Sequence, residues 1–190
     1  PSGTGKELVA NFIFQNSDRK NEPFVTLNCA SIPDTLIESE LFGYEKGAFT
    51  DARAMKLGIV EIANKGTLFL DEIGDISPIV QPKILRFIQS GEFRRVGGNT
   101  SLNADVRILS ATNKNLKEEV REGRFREDLL YRLNVITIDV PNRRMDVALS
   151  DEEIAARVAA YESPPAEFAD GVLGKYAKLV GSASEGAITR

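Results

Sequence analysis

Apolar side chains at positions 8, 9, 12 and 13 of KELVANFIFQN (6–16) recur at helical spacing and predict a helix with one buried face. PFVTLN (23–28) reads as a short buried strand, entered through a proline where no ladder donor is lost. IPDTLIESELF (32–42) reads as a helix with Pro33 near its first turn. The next stretch, GYEKGAFTDARAMKLG (43–58), is polar, glycine-marked and without period, so it predicts a long loop, a kind that tends to carry function. GTLFLDE (66–72) is an unbroken apolar run ending in two carboxylates, the pattern of a buried parallel strand. PIVQPKILRFIQSGEF (78–93) turns helical towards its C-terminal part and stops at Gly91. DVRILSATN (105–113) predicts another strand, FREDLLYRLN (125–134) a helix and VITIDV (135–140) a further strand. SDEEIAARVAAYE (150–162) predicts a helix with a capping box, Ser150 answered by Glu153, and SPPAEF then breaks it. Strands alternating with helices predict an α/β fold, a parallel sheet flanked by helices.

In an open parallel sheet, ligands bind at the carboxyl ends of the strands. Those ends here carry Asn28, then Asp71 and Glu72, then Thr112 and Asn113. The first predicted helix opens on Gly3, Thr4, Gly5, Lys6 and Glu7. Backbone N–H groups of such a loop and helix start hold phosphates, and Lys6 neutralises the outer ones. Asp71 suits Mg²⁺, directly or through water, and Glu72 suits polarising an attacking water. Each piece has a plainer reading when taken alone. GTGK can be a turn before a helix, the Asp-Glu pair a solvated loop start, and Asn113 an ordinary polar terminus. Their joint appearance at successive strand ends favours nucleotide chemistry.

Composition narrows the class. Hydrophobic residues at 42% and charged residues at 27% of 190 are those of a globular chain. A net charge of −4 and a pI near 5.1 argue against a general nucleic-acid-binding face, while leaving room for a local basic patch. The single cysteine, Cys29, excludes an internal disulfide, and the lack of histidine excludes a His-based metal or acid–base site. No apolar run approaches a bilayer span, no signal peptide is visible, and a reducing, cytoplasmic setting is expected.

At this point residues 1–134 resemble the AAA+ ATPase domain of NtrC-type activators of sigma-54 RNA polymerase. SGTGKELVA is similar to the Walker A loop, with Glu7 after the lysine where Ser or Thr is usual. GTLFLDEIGD is similar to the Walker B strand, GEFRRVGG to the turn that follows, and FREDLLYRLNV to the arginine-bearing helix. The most specific piece, ESELFGYEKGAFTDA, resembles the segment carrying the loop that contacts the sigma factor.

The resemblance implies ATP and Mg²⁺ as cofactors and assigns roles. Lys6 binds the outer phosphates, Asp71 serves magnesium and Glu72 the water. Asn28 restrains Glu72 as a nucleotide-dependent switch, and Thr112 and Asn113 sense the γ-phosphate. Arg126 and Arg132 reach the ATP of a neighbouring subunit, which makes a hexameric ring part of the active site. Without the resemblance, a solvated helix face explains both arginines. Gly47, Ala48, Phe49, Thr50, Asp51 and Ala52 form the sigma-factor contact, with Phe49 and Thr50 at its tip. Asp51 stands where glycine is commoner, adding a charge and removing backbone freedom. The implied partner is the sigma-54 RNA polymerase holoenzyme, with no membrane role, and DNA is expected to be contacted only through a domain outside this chain.

Beyond VITIDVP the pattern changes. IDVPNRRMDV, LSDEEIAARVAAY and GVLGKYAKLVGSASEGAIT resemble the C-terminal end of dihydroxy-acid dehydratases and related sugar-acid dehydratases. The expected organisation is therefore a partial AAA+ domain over 1–140 and an unrelated α/β tail over 141–190, with the seam between about Asn134 and Arg143. A native but unusual helical lid is the alternative. The tail carries no cysteine for that family's iron–sulfur cluster, and Ser182 and Ser184 read as structural. The strand before the glycine loop and the helical lid are both expected to be missing, which leaves strands 106–110 and 135–140 flanking an empty slot. The function expected is an ATP-hydrolysing domain that remodels polymerase holoenzyme, impaired in this chain. The alternatives are a sigma-binding fragment without hydrolysis, or a non-functional fusion.

Overall fold

The apolar run Thr67–Asp71 is the middle strand of a three-stranded parallel sheet in a computed structural model of the chain, which describes residues 5–138 and 140. In chain order the elements are α1 (Lys6–Gln15), β1 (Phe24–Asn28), α2 (Asp34–Phe42), β2 (Gly43–Tyr44), β3 (Lys56–Leu57), α3 (Ile59–Ile62) and β4 (Thr67–Asp71). They continue as α4 (Gln81–Ser90), β5 (Glu92–Phe93), β6 (Leu102–Asn103), β7 (Arg107–Ser110), α5 (Leu116–Arg121) and α6 (Glu127–Leu133). The described residues divide into two units: 22–135, which holds the sheet, and a second with 5–21, 136–138 and 140.

The sheet runs β1-β4-β7, in register Asn28 to Asp71 on one side of β4 and Leu70 to Ser110 on the other. Thr67, Leu68, Phe69 and Leu70 are buried, as expected for a strand covered on both faces. Around it Leu27, Ile37, Leu41, Phe42, Leu68, Leu70, Ile73 and Leu129 form the core. Phe42, Phe87 and Phe93 meet as a trio with ring centroids 5.9–6.3 Å apart, two of the three contacts edge-on, the geometry favoured by ring quadrupoles. α4 packs along α6 and α2 against α3. Gly91, at φ 74°, ends α4 in the left-handed conformation, as its position in the sequence predicts.

Two expectations are corrected. Residues 135–138 and 140 do not form a strand: Val135 N–H donates to the Leu133 carbonyl at 2.9 Å in a turn, and Val135 and Ile136 are exposed. A β-branched run has strand propensity, but propensity alone does not make a strand. Among the described strands β7 pairs with β4 alone, and Arg107, Ile108 and Leu109 are only half-buried. The segment 43–58, expected to be loop throughout, is closed at its foot by the antiparallel pair β2–β3. The capped helix at 150–162 and the rest of the tail lie outside the described residues.

Candidate functional site

The sheet delivers its polar residues to one edge. Asn28 and Asp71 are register partners at the ends of β1 and β4, and the chain then turns sharply at Glu72. Glu72 is buried and holds φ 51°, ψ 48°. A non-glycine residue in this left-handed region stores strain that the surroundings must hold, a feature concentrated at functional sites. The surroundings do hold it. Glu72 Oε2 accepts a hydrogen bond from Asn113 N–H at 2.9 Å, and its own N–H donates to Asp71 Oδ1 at 3.0 Å. Ile73 N–H donates to the Ala111 carbonyl and Ala111 N–H to the Leu70 carbonyl, both at 2.9 Å. Thr112 Oγ1 accepts from Lys114 N–H at 3.1 Å and turns its loop back on itself. The structure thus brings Asp71, Glu72, Thr112 and Asn113 together as the sequence predicts.

Asn28 caps the short helical turn Cys29–Ser31, its Oδ1 accepting from Ala30 N–H at 3.0 Å. Cys29 beneath it is buried, and burial first, then the negative charge of Asp71 and Asp75, pushes its thiol up to about 12. It is a packed thiol and not a nucleophile.

In the second unit, Gly5 at φ 82° precedes α1, whose first residue is Lys6, with Glu7 exposed in the first turn. The left-handed turn is the conformation that glycine allows at a phosphate-binding helix start. Gly3 and Thr4 lie outside the described residues.

The loop Gly47–Ala52 is folded, not extended. Gly47 N–H donates to the Ala52 carbonyl at 2.8 Å and Ala52 N–H to the Phe49 carbonyl at 2.9 Å. The Phe49 ring meets Tyr44 edge-on at 4.8 Å, yet 43% of Phe49 remains exposed. Thr50 and Asp51 are exposed and Ala52 is buried. Beneath the loop, Arg95 donates to Glu61 through Nε at 2.9 Å and Nη2 at 2.6 Å, and to Glu45 through Nη1 at 2.8 Å. Both acceptors hold its guanidinium charged more firmly than usual. Burial works against the Glu61 charge, but the Arg95 hydrogen bond, the Gly58 N–H and the Arg95 charge outweigh it and lower the pKa.

Arg126 and Arg132 stand at opposite ends of α6. Arg126 is exposed and forks onto Asp128 at 2.9 and 2.6 Å, while its backbone N–H donates to buried Gln81 Oε1 at 2.8 Å. Gln81 Nε2 donates in turn to the carbonyls of Ile76 and Arg124, at 3.0 and 2.9 Å, which pins the start of α6 to α4. Arg132 is half-buried in the last turn.

Residues 1–139 match the family model of the sigma-54 interaction domain. The chain belongs to that family. This sigma-54 interaction domain is 53% identical over 175 residues to a Nif-specific regulatory protein of Enterobacter agglomerans, covering 90% of the chain and 34% of that protein. It is 53% identical over 151 residues to the regulatory protein AtoC of Escherichia coli K12, covering 78% of the chain and 33% of that protein. Crystal structures of NtrX from Brucella abortus superpose with a TM-score of 0.70 at 42% identity, and 0.68 at 41% for its complex with ATP. Each superposition covers 85% of the chain and 35% of NtrX. The chain thus spans about a third of the length of these relatives. The more distant Hsp104, at 17% identity and TM-score 0.51, shares the AAA+ fold. Residues 129–187 also match the C-terminal model of dihydroxy-acid/6-phosphogluconate dehydratases.

Sequence reasoning passed over several residues that brace the candidate site of this sigma-54 interaction domain. Glu61, Arg95, Gln81 and Lys114 reach across 34 to 50 positions to partners in distant segments, so no local spacing reveals them. Among the described residues no helix is long and apolar enough to cross a membrane.

Proposed function

We propose that this domain binds and hydrolyses ATP and uses the cycle to press the loop Gly47–Ala52 onto the sigma-54 RNA polymerase holoenzyme. The observation that carries the reading is Glu72: a buried carboxylate at a strand end, in a strained conformation, hydrogen-bonded to Asn113 N–H. In this reading Lys6 and the Gly3–Gly5 turn bind the outer phosphates, and Glu72 orients and deprotonates the attacking water. Asn113 and Thr112 contact the γ-phosphate, and Asn28 exchanges its cap for Glu72 as the nucleotide changes. Arg126 and Arg132 serve the nucleotide of a neighbouring subunit in a hexameric ring. The setting is the cytoplasm.

Mg²⁺ fits the donor set. Among the described residues no three carboxylate, thiol or imidazole groups converge, whereas Asp71 and Glu72 supply two successive carboxylates at the end of β4. Magnesium is commonly held by one or two carboxylates together with phosphates and water. Asp71 would hold the ion, which would neutralise charge on the phosphates.

A second reading concerns the rate. β7 leads directly into Thr112 and Asn113, yet Arg107, Ile108 and Leu109 are only half-buried and Ser110 is exposed. A loosely covered strand presents its sensor residues poorly, so hydrolysis by the 190-residue polypeptide is expected to be weak or absent. Residues 141–190 are read as a separate C-terminal segment without dehydratase chemistry. The test is binding of a fluorescent ATP analogue and steady-state hydrolysis, comparing the purified chain with Lys6→Ala and Glu72→Gln. Binding lost in Lys6→Ala supports the nucleotide site, and binding indifferent to Lys6 overturns it. Robust turnover abolished by either substitution supports hydrolysis and sinks the impaired reading.

A further inference from the structure

Lys114 lies outside the residues that resemblance assigns, yet it sits where the two catalytic turns meet. Its Nζ pairs with Asp75 Oδ1 at 2.6 Å and donates to the Gly74 carbonyl at 3.3 Å. Its backbone N–H donates to Thr112 Oγ1 at 3.1 Å. Asp75 and Gly74 belong to the turn Ile73–Asp75 that follows Glu72, and Asp75 N–H donates back to the Glu72 carbonyl at 2.9 Å. The turns approach so closely that a Cβ on Gly74 would lie 2.8 Å from Thr112 Oγ1 and 3.2 Å from the Lys114 side chain. Backbone bonds from Ile73 and Ala111 close the inner end of this junction, and the ammonium of Lys114 closes the outer end. Between the two ends lies the hydrogen bond from Asn113 N–H to Glu72.

We propose that Lys114 is a positioning residue: by tying the turn 73–75 to the turn 111–114, it holds Glu72 on the amide of Asn113. The consequence is mechanical. A displacement of Asn113 by a bound phosphate passes to Glu72 only while the two turns move as one body. The ammonium makes two contacts with one turn from the other, and the Lys114 and Asp75 side chains are each about two-thirds shielded from solvent, where a charge-assisted bond keeps more of its strength than at an open surface. An arginine reaches the same carboxylate, whereas methionine keeps the stem and loses the charge. The mechanical consequence deepens the ATPase reading given above and rests on it; the geometric claim does not.

The experiment measures amide hydrogen exchange by NMR in the full chain, for the unsubstituted protein, Lys114→Met, Lys114→Arg and Asp75→Asn. Protection of the Asn113 amide is expected to fall at least tenfold in Lys114→Met and Asp75→Asn and to stay near its original value in Lys114→Arg. The amides of Leu68 and Phe69 in β4 serve as the reference for global stability and are expected to keep their protection. Unchanged protection of Asn113 in Lys114→Met overturns the proposal. So does an equal loss at Asn113, Leu68 and Phe69, which marks a merely structural role. In hydrolysis assays Lys114→Met and Asp75→Asn are expected to lose several-fold in kcat with little change in KM, and Lys114→Arg to keep most of it. Where hydrolysis by the chain is too weak to assay, the exchange result alone still decides the role of Lys114.

Discussion

Arg95 grips both carboxylate oxygens of Glu61, Nε on Oε1 at 2.9 Å and Nη2 on Oε2 at 2.6 Å, across 34 positions of sequence. The pair is mostly shielded, at 17% and 16% side-chain exposure, and lies under the foot of the loop Gly47–Ala52. Glu61 Oε1 also accepts from Gly58 N–H at 3.0 Å, capping α3. One guanidinium therefore joins a helix start, the segment after β5 and, through Glu45, the first residue beyond β2.

Removing the guanidinium leaves Glu61 with one backbone donor and a partly buried charge. Breaking a fully buried pair costs ~3–5 kcal/mol, and partial exposure reduces that here to about 2 kcal/mol for Arg95→Ala. Arg95→Lys keeps the charge but not the fork, and about half the loss is expected. Thermal unfolding followed by circular dichroism checks both. Arg95→Ala unfolding at the unsubstituted temperature would show that the network contributes nothing.

The same pair sets an acid limit. The folded pKa of Glu61 lies below its ordinary value of 4.5, so in the folded state it stays ionised to lower pH than in the unfolded chain. A depressed carboxylate contributes stability that is fully present above 4.5 and is lost as pH falls through the folded pKa. Melting temperature is therefore expected to drop between about pH 5 and pH 3, and to drop less steeply in Glu61→Gln, which lacks the titrating group. Parallel curves for the two proteins would exclude Glu61 as a source of the acid sensitivity.

Much of the sheet was legible in the pattern of residues, because an apolar run such as TLFLD has few places to go except a covered strand. The strand-end placement of Asp71, Glu72, Thr112 and Asn113 followed from the same logic. What stayed hidden falls into two kinds. α3 and α5 are four and six residues long, too short to show a period, and α5 is started by Asn115 accepting from Lys117 N–H. The Arg95, Gln81 and Lys114 contacts join distant segments, and nothing local distinguishes these side chains from solvated ones. VITIDV misled for the converse reason: its composition suits a strand, but strand formation depends on a partner that composition does not report.

Thr67 exposes no surface, and its hydroxyl has no hydrogen-bond partner among the described residues. A buried polar group without a partner costs ~1–3 kcal/mol, so Thr67→Val, nearly isosteric, is expected to stabilise the 22–135 unit by about 1 kcal/mol. For a unit of this size that raises the melting temperature by roughly 3–6 °C. A lower melting temperature would mean that the hydroxyl is satisfied after all.

Phe49 separates stability from partner contact. Its ring touches Tyr44 edge-on, a contact worth ~0.5–1.5 kcal/mol when desolvated, and 43% exposure puts it at the low end. Phe49→Ala is therefore expected to shift unfolding by less than about 1 kcal/mol, since the loop's own backbone bonds from Gly47 and Ala52 remain. If the exposed part of the ring is what meets the sigma factor, the same substitution abolishes capture of purified sigma-54. Asp51 makes a useful control. Among the described non-glycine residues only Lys65 and Glu72 have positive φ, so Asp51 occupies its position without glycine's freedom. Asp51→Gly should then leave the melting temperature nearly unchanged and alter capture only through the charge it removes. Capture by Phe49→Ala equal to that of the unsubstituted chain would refute the loop as the contact.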